Sequence, residues 1–365
     1  MDSSPLGDLL KSRIRQIGPM DVGEYMALCL GHPQYGYYMT RDPFGAAGDF
    51  TTAPEISQMF GEMIGMWCAD LWVKLGSPKE FALVELGPGR GTLMDDILRT
   101  TKAMPGFHDA KKLYLMEMSP TLQALQNQKL GAYDPVWIGD LARLPTSIPV
   151  IIVANEFLDA LPVRQLVGNS GAWRERVIGL DQNDTFTFGE KEVDPVLLTH
   201  LTPPLRKAEE EGVYEVSPIL NHLIKSVDNL LKKQSGVALF LDYGHARSAM
   251  GDTLQAVKKH QYTNIFDTPG MCDLTAHVDF ENVARIALGD GLAVHGPTIQ
   301  GAFLKELGID VRAERLKVNA SEAQKVDLDS GLKRLIDTDQ MGSLFKVLAL
   351  CHDPQIDIAG FHERL

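Results

Sequence analysis

The stretch from Phe81 to Thr92 reads Phe-Ala-Leu-Val-Glu-Leu-Gly-Pro-Gly-Arg-Gly-Thr, an apolar run that leads directly into three closely spaced glycines. Glycines let a backbone turn tightly and approach a ligand. Apolar residues then recur at helical spacing as far as about Thr100. We therefore predict a strand, a ligand-binding turn and a helix, in that order.

The acidic residue two positions before the first glycine limits which ligand the turn can bind. Dinucleotide sites usually have a GxGxxG spacing and place a diphosphate at the helix N-terminus, where Glu85 would repel it. S-adenosyl-L-methionine carries an ammonium and a sulfonium but no phosphate, so an acidic rim matches its charge. We therefore predict this cofactor, with S-adenosyl-L-homocysteine as the product, on a turn made of the following residues: Glu85, Gly87, Pro88, Gly89 and Gly91.

Further along the chain, short apolar runs alternate with helical segments, which is typical of a mostly parallel sheet with crossover helices. Besides the strand at Phe81 to Leu86, the predicted strands are Leu113 to Glu117, Val136 to Ile138, Val150 to Ala154, Val237 to Asp242, Leu292 to Thr298 and Ser343 to Leu350. A second helix is predicted from Pro120 to about Lys129. The fold class is therefore α/β, with a doubly wound, Rossmann-like sheet.

Polar residues stand where successive predicted strands end. Glu117 follows the second strand, at the position where a carboxylate can accept both hydroxyls of a ribose. Asp140 and Leu141 follow the third strand and suit an adenine amino group and ring, while Asn155 ends the fourth strand. Parallel strands end at one edge of the sheet, so we predict that all four residues bind the cofactor. The alternative is that Glu117 and Asp140 are solvated residues at strand ends.

The fourth strand runs into Asn155-Glu156-Phe157-Leu158-Asp159-Ala160-Leu161-Pro162, at the edge where substrates bind in such sheets. Methyl transfer requires mainly that a nucleophile be positioned and water excluded. An arginine guanidinium has no free lone pair, so adjacent carboxylates must hold the cation and accept its proton. Glu156 is the first catalytic candidate and Asp159 the second; the alternative for Glu156 is a carboxylate at a helix start that interacts with the backbone dipole. His277 is either a general base or a hydrogen-bonded structural histidine.

The alternation is interrupted in three places, which sets the expected domain organisation. Residues 1–75 form a helical and loop extension that closes the cofactor site, and the irregular loop Gly31 to Pro54 in it could fold over a ligand. Residues 76–365 form the cofactor-binding domain, with an insertion after the fourth strand at about 164–235 and another at about 251–290. The first insertion contains a strand-like hairpin, Trp173 to Phe188.

Composition excludes several other classes of function. With 35 basic and 48 acidic residues the formal net charge is -13, so nucleic acid is a poor ligand. The four cysteines are far apart and no histidine has metal-ligand spacing, so no metal is proposed. No apolar run approaches the roughly 18 residues of a membrane span, and Met1 to Gly18 lacks the pattern of a targeting signal. We expect a cytoplasmic protein.

Six segments together resemble the MidA family, which includes the mitochondrial complex I assembly arginine methyltransferase. They are Gly31 to Tyr38, Gly48 to Ser57, Val84 to Gly91, Asn155 to Pro162, Leu241 to Gly244 and Asp273 to Phe280. The resemblance implies a class I methyltransferase fold with an antiparallel last strand. It implies symmetric dimethylation of an arginine on a quinone-side peripheral subunit of complex I, which would aid assembly of the complex. This chain looks like a bacterial member.

The resemblance also implies that the loop from Gly48 to Ser57 helps to close the cofactor pocket. Its cofactor-binding candidates are Gly48, Asp49, Thr51, Thr52 and Ser57. Other functions remain open at this stage: a methyltransferase that acts on a small molecule, a cofactor-binding assembly factor without turnover and, as the weakest, a dinucleotide oxidoreductase. A homodimer is open as well, since the apolar positions from Ile56 to Trp67 suit either the core or a second copy.

Overall fold

The computed structural model describes residues 4–40, 52–207 and 211–361. The helices are α1 (Pro5–Ile17), α2 (Val22–Gly31), α3 (Tyr37–Thr40), α4 (Ala53–Ile56), α5 (Gln58–Lys74), α6 (Thr92–Thr101), α7 (Phe107–Ala110), α8 (Pro120–Leu130), α9 (Pro195–Leu198), α10 (Pro218–Lys233), α11 (Phe280–Gly289), α12 (Gln300–Glu306), α13 (Ile309–Lys317), α14 (Glu322–Ile336) and α15 (Met341–Leu344). The strands are β1 (Met20–Asp21), β2 (Phe81–Leu86), β3 (Lys111–Met116), β4 (Val136–Ile138), β5 (Val150–Asn155), β6 (Arg164–Asn169), β7 (Ala172–Leu180), β8 (Phe186–Glu192), β9 (Gly212–Val216), β10 (Gly236–His245), β11 (Gln255–Lys258), β12 (Gln261–Thr263), β13 (Asp273–Thr275), β14 (Val278–Asp279), β15 (Ala293–Ile299) and β16 (Phe345–Cys351).

The chain divides into two compact units, each built from segments that are separate in the sequence. Unit 1 comprises Met1–Phe50, Asp159–Leu223 and Arg247–His277, and unit 2 comprises Thr51–Leu158, Ile224–Ala246 and Val278–Leu365. The stretch 1–75, which we expected to be one extension, is thus divided between the units at residue 50.

Unit 2 contains an eight-stranded sheet in the order β15-β16-β10-β5-β2-β3-β4, with β14 paired to β10. Strands β4, β3, β2, β5 and β10 are parallel, whereas β16 is antiparallel to both of its neighbours, β10 and β15. Every residue of β2 and β5 is buried, as expected for central strands covered on both faces. The predicted α/β class with an antiparallel last strand is confirmed.

Most predicted elements of unit 2 appear within two or three residues of their expected bounds. Strands β2 and β4 match the prediction, since each is a short apolar run with turn residues nearby. The start predicted for the last strand at Ser343 was wrong, because Met341–Leu344 form the short helix α15 and the strand begins at Phe345. The fifth predicted strand extends beyond Asp242 to His245, where β14 pairs with it.

Unit 1 contains two antiparallel sheets. The larger has the order β1-β7-β6-β9, with β8 paired to β7, and the smaller has the order β12-β11-β13. The hairpin expected between Trp173 and Phe188 is formed by β7 and β8. Helix α3 lies within the stretch Gly31 to Pro54, which the sequence led us to predict as irregular; that prediction was wrong for residues 37–40.

The cores of the two units are separate sets of side chains. In unit 2 the core includes Trp67, Phe60, Phe81 and Phe107, packed between helices and the sheet. In unit 1 the apolar side of α2, with Tyr25 fully buried, packs with residues of α1 and both sheets. Among the described residues no helix is both long and apolar enough to span a membrane.

Candidate cofactor and methyl-transfer site

The glycine turn between β2 and α6 takes a backbone path that suits glycine. Gly87, Gly89 and Gly91 have φ values of 62°, 52° and 75°, in the left-handed region that side chains disfavour. The N–H of Gly91 donates to the carbonyl of Pro88 at 2.7 Å, and the N–H of Gly87 donates to the carbonyl of Met116 at 3.1 Å. The turn is therefore closed on itself and tied to β3.

Glu85 is the second to last residue of β2, two positions before Gly87, and is only 3% exposed. Burial raises the pKa of its carboxyl to about 8, and the charge of Lys129 acts in the opposite direction. Its Oε2 atom is buried and has no hydrogen-bond partner among the described residues. A buried carboxyl in this state would gain from a cation beside it, because the cation favours the ionised form.

Glu117 follows β3 and is half-buried. Its Oε1 accepts a hydrogen bond from the N–H of Ser119 at 2.7 Å, and its Oε2 accepts one from Nε2 of Gln126 at 3.2 Å. Burial raises the pKa of Glu117, although these hydrogen bonds act in the opposite direction. The carboxylate is thus held in one orientation and not simply solvated, which suits an acceptor for paired hydroxyls.

Gln126 is a functional candidate that the sequence did not indicate. It is fully buried on α8, and its Nε2 donates both to Glu117 and to the carbonyl of Gly89, at 2.7 Å in the second case. Its Oε1 accepts from Nε1 of Trp137 at 2.8 Å. One amide therefore connects the glycine turn, the acid at the end of β3 and strand β4.

Asp140 and Leu141 follow β4, as expected. Asp140 is exposed, and its Oδ1 accepts from the N–H of Ala142 at 2.8 Å, which caps a single 3-10 turn, Leu141–Arg143. Leu141 is buried. An open cavity of about 530 Å³ adjoins this turn, and its lining residues are Tyr114, Val136, Trp137, Ile138, Gly139, Asp140 and Arg143. Contact of Asp140 and Leu141 with an adenine stays a prediction.

Glu156 stands immediately after β5 in a left-handed conformation, with φ of 49°. Its N–H donates to the carbonyl of Leu241 at 2.9 Å, so the turn is anchored to β10. Its Oε1 accepts from the N–H of Ala53 at 2.9 Å and from Nδ2 of Asn155 at 3.1 Å. The side chain of Asn155 is thus directed to Glu156, and its predicted contact with the cofactor is untested.

Asp242 fixes the backbone that follows Glu156. It is fully buried, and its Oδ2 accepts from the N–H of Phe157 at 3.1 Å and of Leu158 at 2.8 Å. Its Oδ1 accepts from the N–H of Tyr243 at 2.9 Å. A carboxylate with several backbone donors is a strong anchor. Asp242 therefore holds the end of β5 in place from the neighbouring strand.

The segment that resembles the pocket-closing loop is described only from Thr52 onward, so Gly48, Asp49 and Thr51 lie outside the described residues. Thr52 precedes α4 but gives it no side-chain cap. Ser57 caps the next helix, α5, by accepting from the N–H of Met59 at 3.3 Å. Roles of these five residues at the cofactor remain predictions.

The remaining catalytic candidates, Asp159 and His277, belong to unit 1, whereas Glu156 belongs to unit 2. The carbonyl of Asp159 accepts from the N–H of Ala276 at 3.0 Å, which places its segment beside the one that ends in His277. The N–H of His277 donates to Oγ1 of Thr253 at 2.8 Å. These contacts fix the backbone of both residues, and a catalytic role for either stays a prediction.

The residues at the carboxyl edge of the unit 2 sheet fit S-adenosylmethionine. Glu85 offers a buried carboxyl oxygen that has no protein partner in the described part of the chain, which suits an ammonium. Glu117 would hold the ribose hydroxyls, and the glycine backbone would allow close approach. Within the described ranges no cluster of three or more His, Cys, Asp or Glu residues is arranged to hold a metal ion.

Comparisons with known proteins agree with this geometry. The sequence pattern of a family of S-adenosyl-L-methionine-dependent methyltransferases matches residues 63–298. The chain is 36% identical to a Drosophila melanogaster protein named protein arginine methyltransferase NDUFAF7 homolog, mitochondrial, over 98% of this chain and 88% of that protein. It is 34% identical to the Homo sapiens protein named protein arginine methyltransferase NDUFAF7, mitochondrial, over 95% of this chain and 83% of that protein.

A solved structure is similar over nearly the whole chain. It is a protein from Burkholderia thailandensis, described as a methyl transferase and crystallised with S-adenosyl-homocysteine. The two share 27% sequence identity with a TM-score of 0.82, over 96% of this chain and 92% of that one. Fold, cofactor-binding edge and sequence thus agree: the chain belongs to the MidA family of S-adenosylmethionine-dependent methyltransferases.

Proposed function

We propose that this methyltransferase modifies an arginine of a protein and that Glu156 holds the guanidinium. The relatives named above carry arginine methylation in their names. The observation that carries the proposal for this chain is the conformation of Glu156. A non-glycine residue in the left-handed region costs about 1–2 kcal/mol, and such strain is concentrated at functional sites.

The carboxylate of Glu156 has the chemistry that a guanidinium requires. When bound, S-adenosylmethionine supplies an electrophilic methyl group on a sulfonium. The guanidinium is a cation at neutral pH, so an ionised carboxylate beside it holds it in place and receives the proton that leaves with methylation. The N–H of Ala53 and the amide of Asn155 both donate to Oε1 of Glu156, which favours the ionised form.

We further propose that the acceptor is a quinone-side peripheral subunit of complex I, that the product is symmetric dimethylarginine and that the modification aids assembly. These details rest on the family resemblance. A cytoplasmic location and a homodimer stay predictions.

The test uses Glu156→Gln in the full chain, with labelled S-adenosylmethionine and extract from cells that lack this protein. We expect transfer of label into protein to fall at least a hundredfold, while calorimetric affinity for S-adenosylhomocysteine stays within about threefold of the wild type. Glu80→Gln is the matched control, because Glu80 is exposed and pairs only with Lys112 among the described residues.

Three outcomes contradict the proposal. Wild-type protein that labels a metabolite and no polypeptide is a small-molecule methyltransferase. Glu156→Gln that restores complex I assembly in deficient cells indicates a factor that needs no turnover. If Glu156→Gln keeps full activity, Glu156 has no role in the reaction.

A further inference from the structure

Helix α4, Ala53–Ile56, is too short to be stable on its own. Nucleation of a helix is unfavourable in free energy, and a single turn has no further residues whose hydrogen bonds could offset it. Its N-cap, Thr52, makes no side-chain hydrogen bond to it. Tertiary contacts must therefore hold this turn in place. The contacts at its two ends involve groups of the proposed reaction site.

The first contact is made by the N-terminal end of α4. The N–H of Ala53, the first residue of the helix, donates to Oε1 of Glu156 at 2.9 Å. Ala53 and Pro54 are buried, so water does not compete freely for this donor.

The second contact is an ion pair made two residues further along the helix. Nη1 of Arg90 lies 3.4 Å from Oε1 of Glu55, whose side chain is 12% exposed. Arg90 stands between Gly89 and Gly91, in the glycine turn that binds the cofactor. Because one partner is largely removed from water, this pair is less screened by salt than a surface pair.

The same short helix thus contacts the cofactor turn through Glu55 and the acceptor acid through Ala53. We propose that Glu55 is a positioning residue for methyl transfer: its ion pair with Arg90 fixes α4, and α4 fixes the orientation and ionisation of the Glu156 carboxylate. The inference deepens the proposed function and rests on it. Glu55 acts through the helix and does not itself contact the reacting atoms.

The test compares Glu55→Gln, which removes the charge, with Glu55→Asp, which keeps it, in the full chain. For Glu55→Gln we expect the rate of label transfer from saturating S-adenosylmethionine into protein of the deficient extract to fall about tenfold. The acid limb of the rate–pH profile should move to higher pH, because a loosened α4 holds the N–H of Ala53, a donor that favours the ionised form of Glu156, less firmly in place. Glu55→Asp should recover at least half of the lost rate.

Two further measurements do not depend on activity. Calorimetric affinity for S-adenosylhomocysteine should change less than twofold in Glu55→Gln. Hydrogen exchange of the peptide that contains Ala53–Ile56 should become faster, while exchange in β2 stays unchanged. Both results support a local role in holding α4.

The proposal is overturned if Glu55→Gln keeps the wild-type rate and pH profile. It is overturned equally if Glu55→Gln and Glu55→Asp lose rate, cofactor affinity and thermal stability in parallel, which is the signature of a merely structural residue. Glu156→Gln, measured in parallel, separates the two proposals. If Glu156→Gln keeps full activity, the role of Glu156 fails, whatever Glu55→Gln shows. If Glu156→Gln loses activity and Glu55→Gln keeps the wild-type rate, only the role of Glu55 fails.

Discussion

The ring of Phe157 occupies the space beside Gly87: a Cβ atom built on Gly87 would lie 2.6 Å from Cδ2 of Phe157. The two residues belong to neighbouring strand ends, one to the glycine turn after β2 and the other to the turn after β5. Gly87 also has φ of 62°. Only glycine meets both conditions, so the glycine turn after β2 and the turn that follows β5 are packed against each other.

Gly87→Ala is therefore expected to impair both stability and cofactor binding. Left-handed backbone at alanine costs about 1–2 kcal/mol, and displacement of Phe157 adds to it. We expect a lower free energy of unfolding in urea and at least tenfold weaker calorimetric binding of S-adenosylhomocysteine. Gly289→Ala is the control, since apart from its own helix no atom of the described residues lies within 4 Å of a Cβ built there. Equal behaviour of the two variants would contradict the packing argument.

Asp242→Asn tests the anchor of the Glu156 turn. Asparagine keeps the shape of Asp242 but has one accepting oxygen, so at least one of the main-chain donors at Phe157, Leu158 and Tyr243 loses its partner. An unsatisfied buried donor costs about 1–3 kcal/mol. We expect a loss of that size in urea unfolding and a lower rate of methyl transfer. Asp140→Asn, at an exposed cap, should change stability far less; a loss below about 0.5 kcal/mol at Asp242 would argue against the anchor.

Gln126→Leu tests whether the buried amide orients Glu117. The substitution removes the donor to Glu117 Oε2 and to the Gly89 carbonyl. Because a hydrogen bond to a charged group contributes about 1.5–3 kcal/mol, we expect roughly tenfold weaker binding of S-adenosylhomocysteine. Gln123→Leu removes only a bond to the main-chain carbonyl of Glu117 and serves as the control. Unchanged affinity in Gln126→Leu would show that Glu117 needs no such support.

Glu85 predicts how the stability of the ligand-free protein depends on pH. Its pKa rises from the ordinary 4.5 to about 8 on burial. A raised carboxyl pKa contributes stability that is present below the unfolded pKa and is lost as pH rises toward the folded one. The melting temperature of wild type should therefore fall relative to that of Glu85→Gln between about pH 5 and pH 8. If the melting temperatures of the two proteins change with pH in the same way, the pKa of Glu85 is not raised.

The same carboxyl predicts that cofactor binding releases protons. An ammonium placed beside Glu85 favours its ionised form, so a protonated Glu85 loses its proton when the ligand binds near pH 7. Calorimetry with S-adenosylhomocysteine in phosphate and in Tris should give different heats, since the buffers take up protons with different enthalpies. Glu85→Gln should bind S-adenosylhomocysteine more weakly, and its binding heats in the two buffers should be nearly the same. If the wild type gives identical binding heats in both buffers, the ammonium of the ligand does not lie beside Glu85.

The sheet could be predicted because its signals are local. Strand β2 ends where an apolar run meets Gly87, and β5 is an apolar run of strand length, so both were confirmed to within one residue. The short helices α3 and α4 could not be predicted, because the glycines and prolines between Gly31 and Pro54 indicate irregular backbone. Short helices of this kind depend on tertiary contacts and leave no periodic pattern.

The supporting residues of the site were missed for a related reason. Gln126 is an ordinary residue on an ordinary helix, and only packing brings it to Gly89, 37 positions away. The pair of Glu55 and Arg90 likewise joins two distant segments. Nothing in Asn155-Glu156-Phe157 indicates the left-handed backbone at Glu156, which asparagine or glycine adopts more readily.

Strand β16 is made after every other strand in the described part of the chain, yet it lies inside the sheet, between β15 and β10. Until residue 351 has been made, β15 lacks the strand that it pairs with, and the edge of β10 that pairs with β16 is open. Exposed edges of this kind recruit other chains. A protein cut short before Phe345 should therefore aggregate and require a chaperone, even though it retains every residue proposed to touch the cofactor.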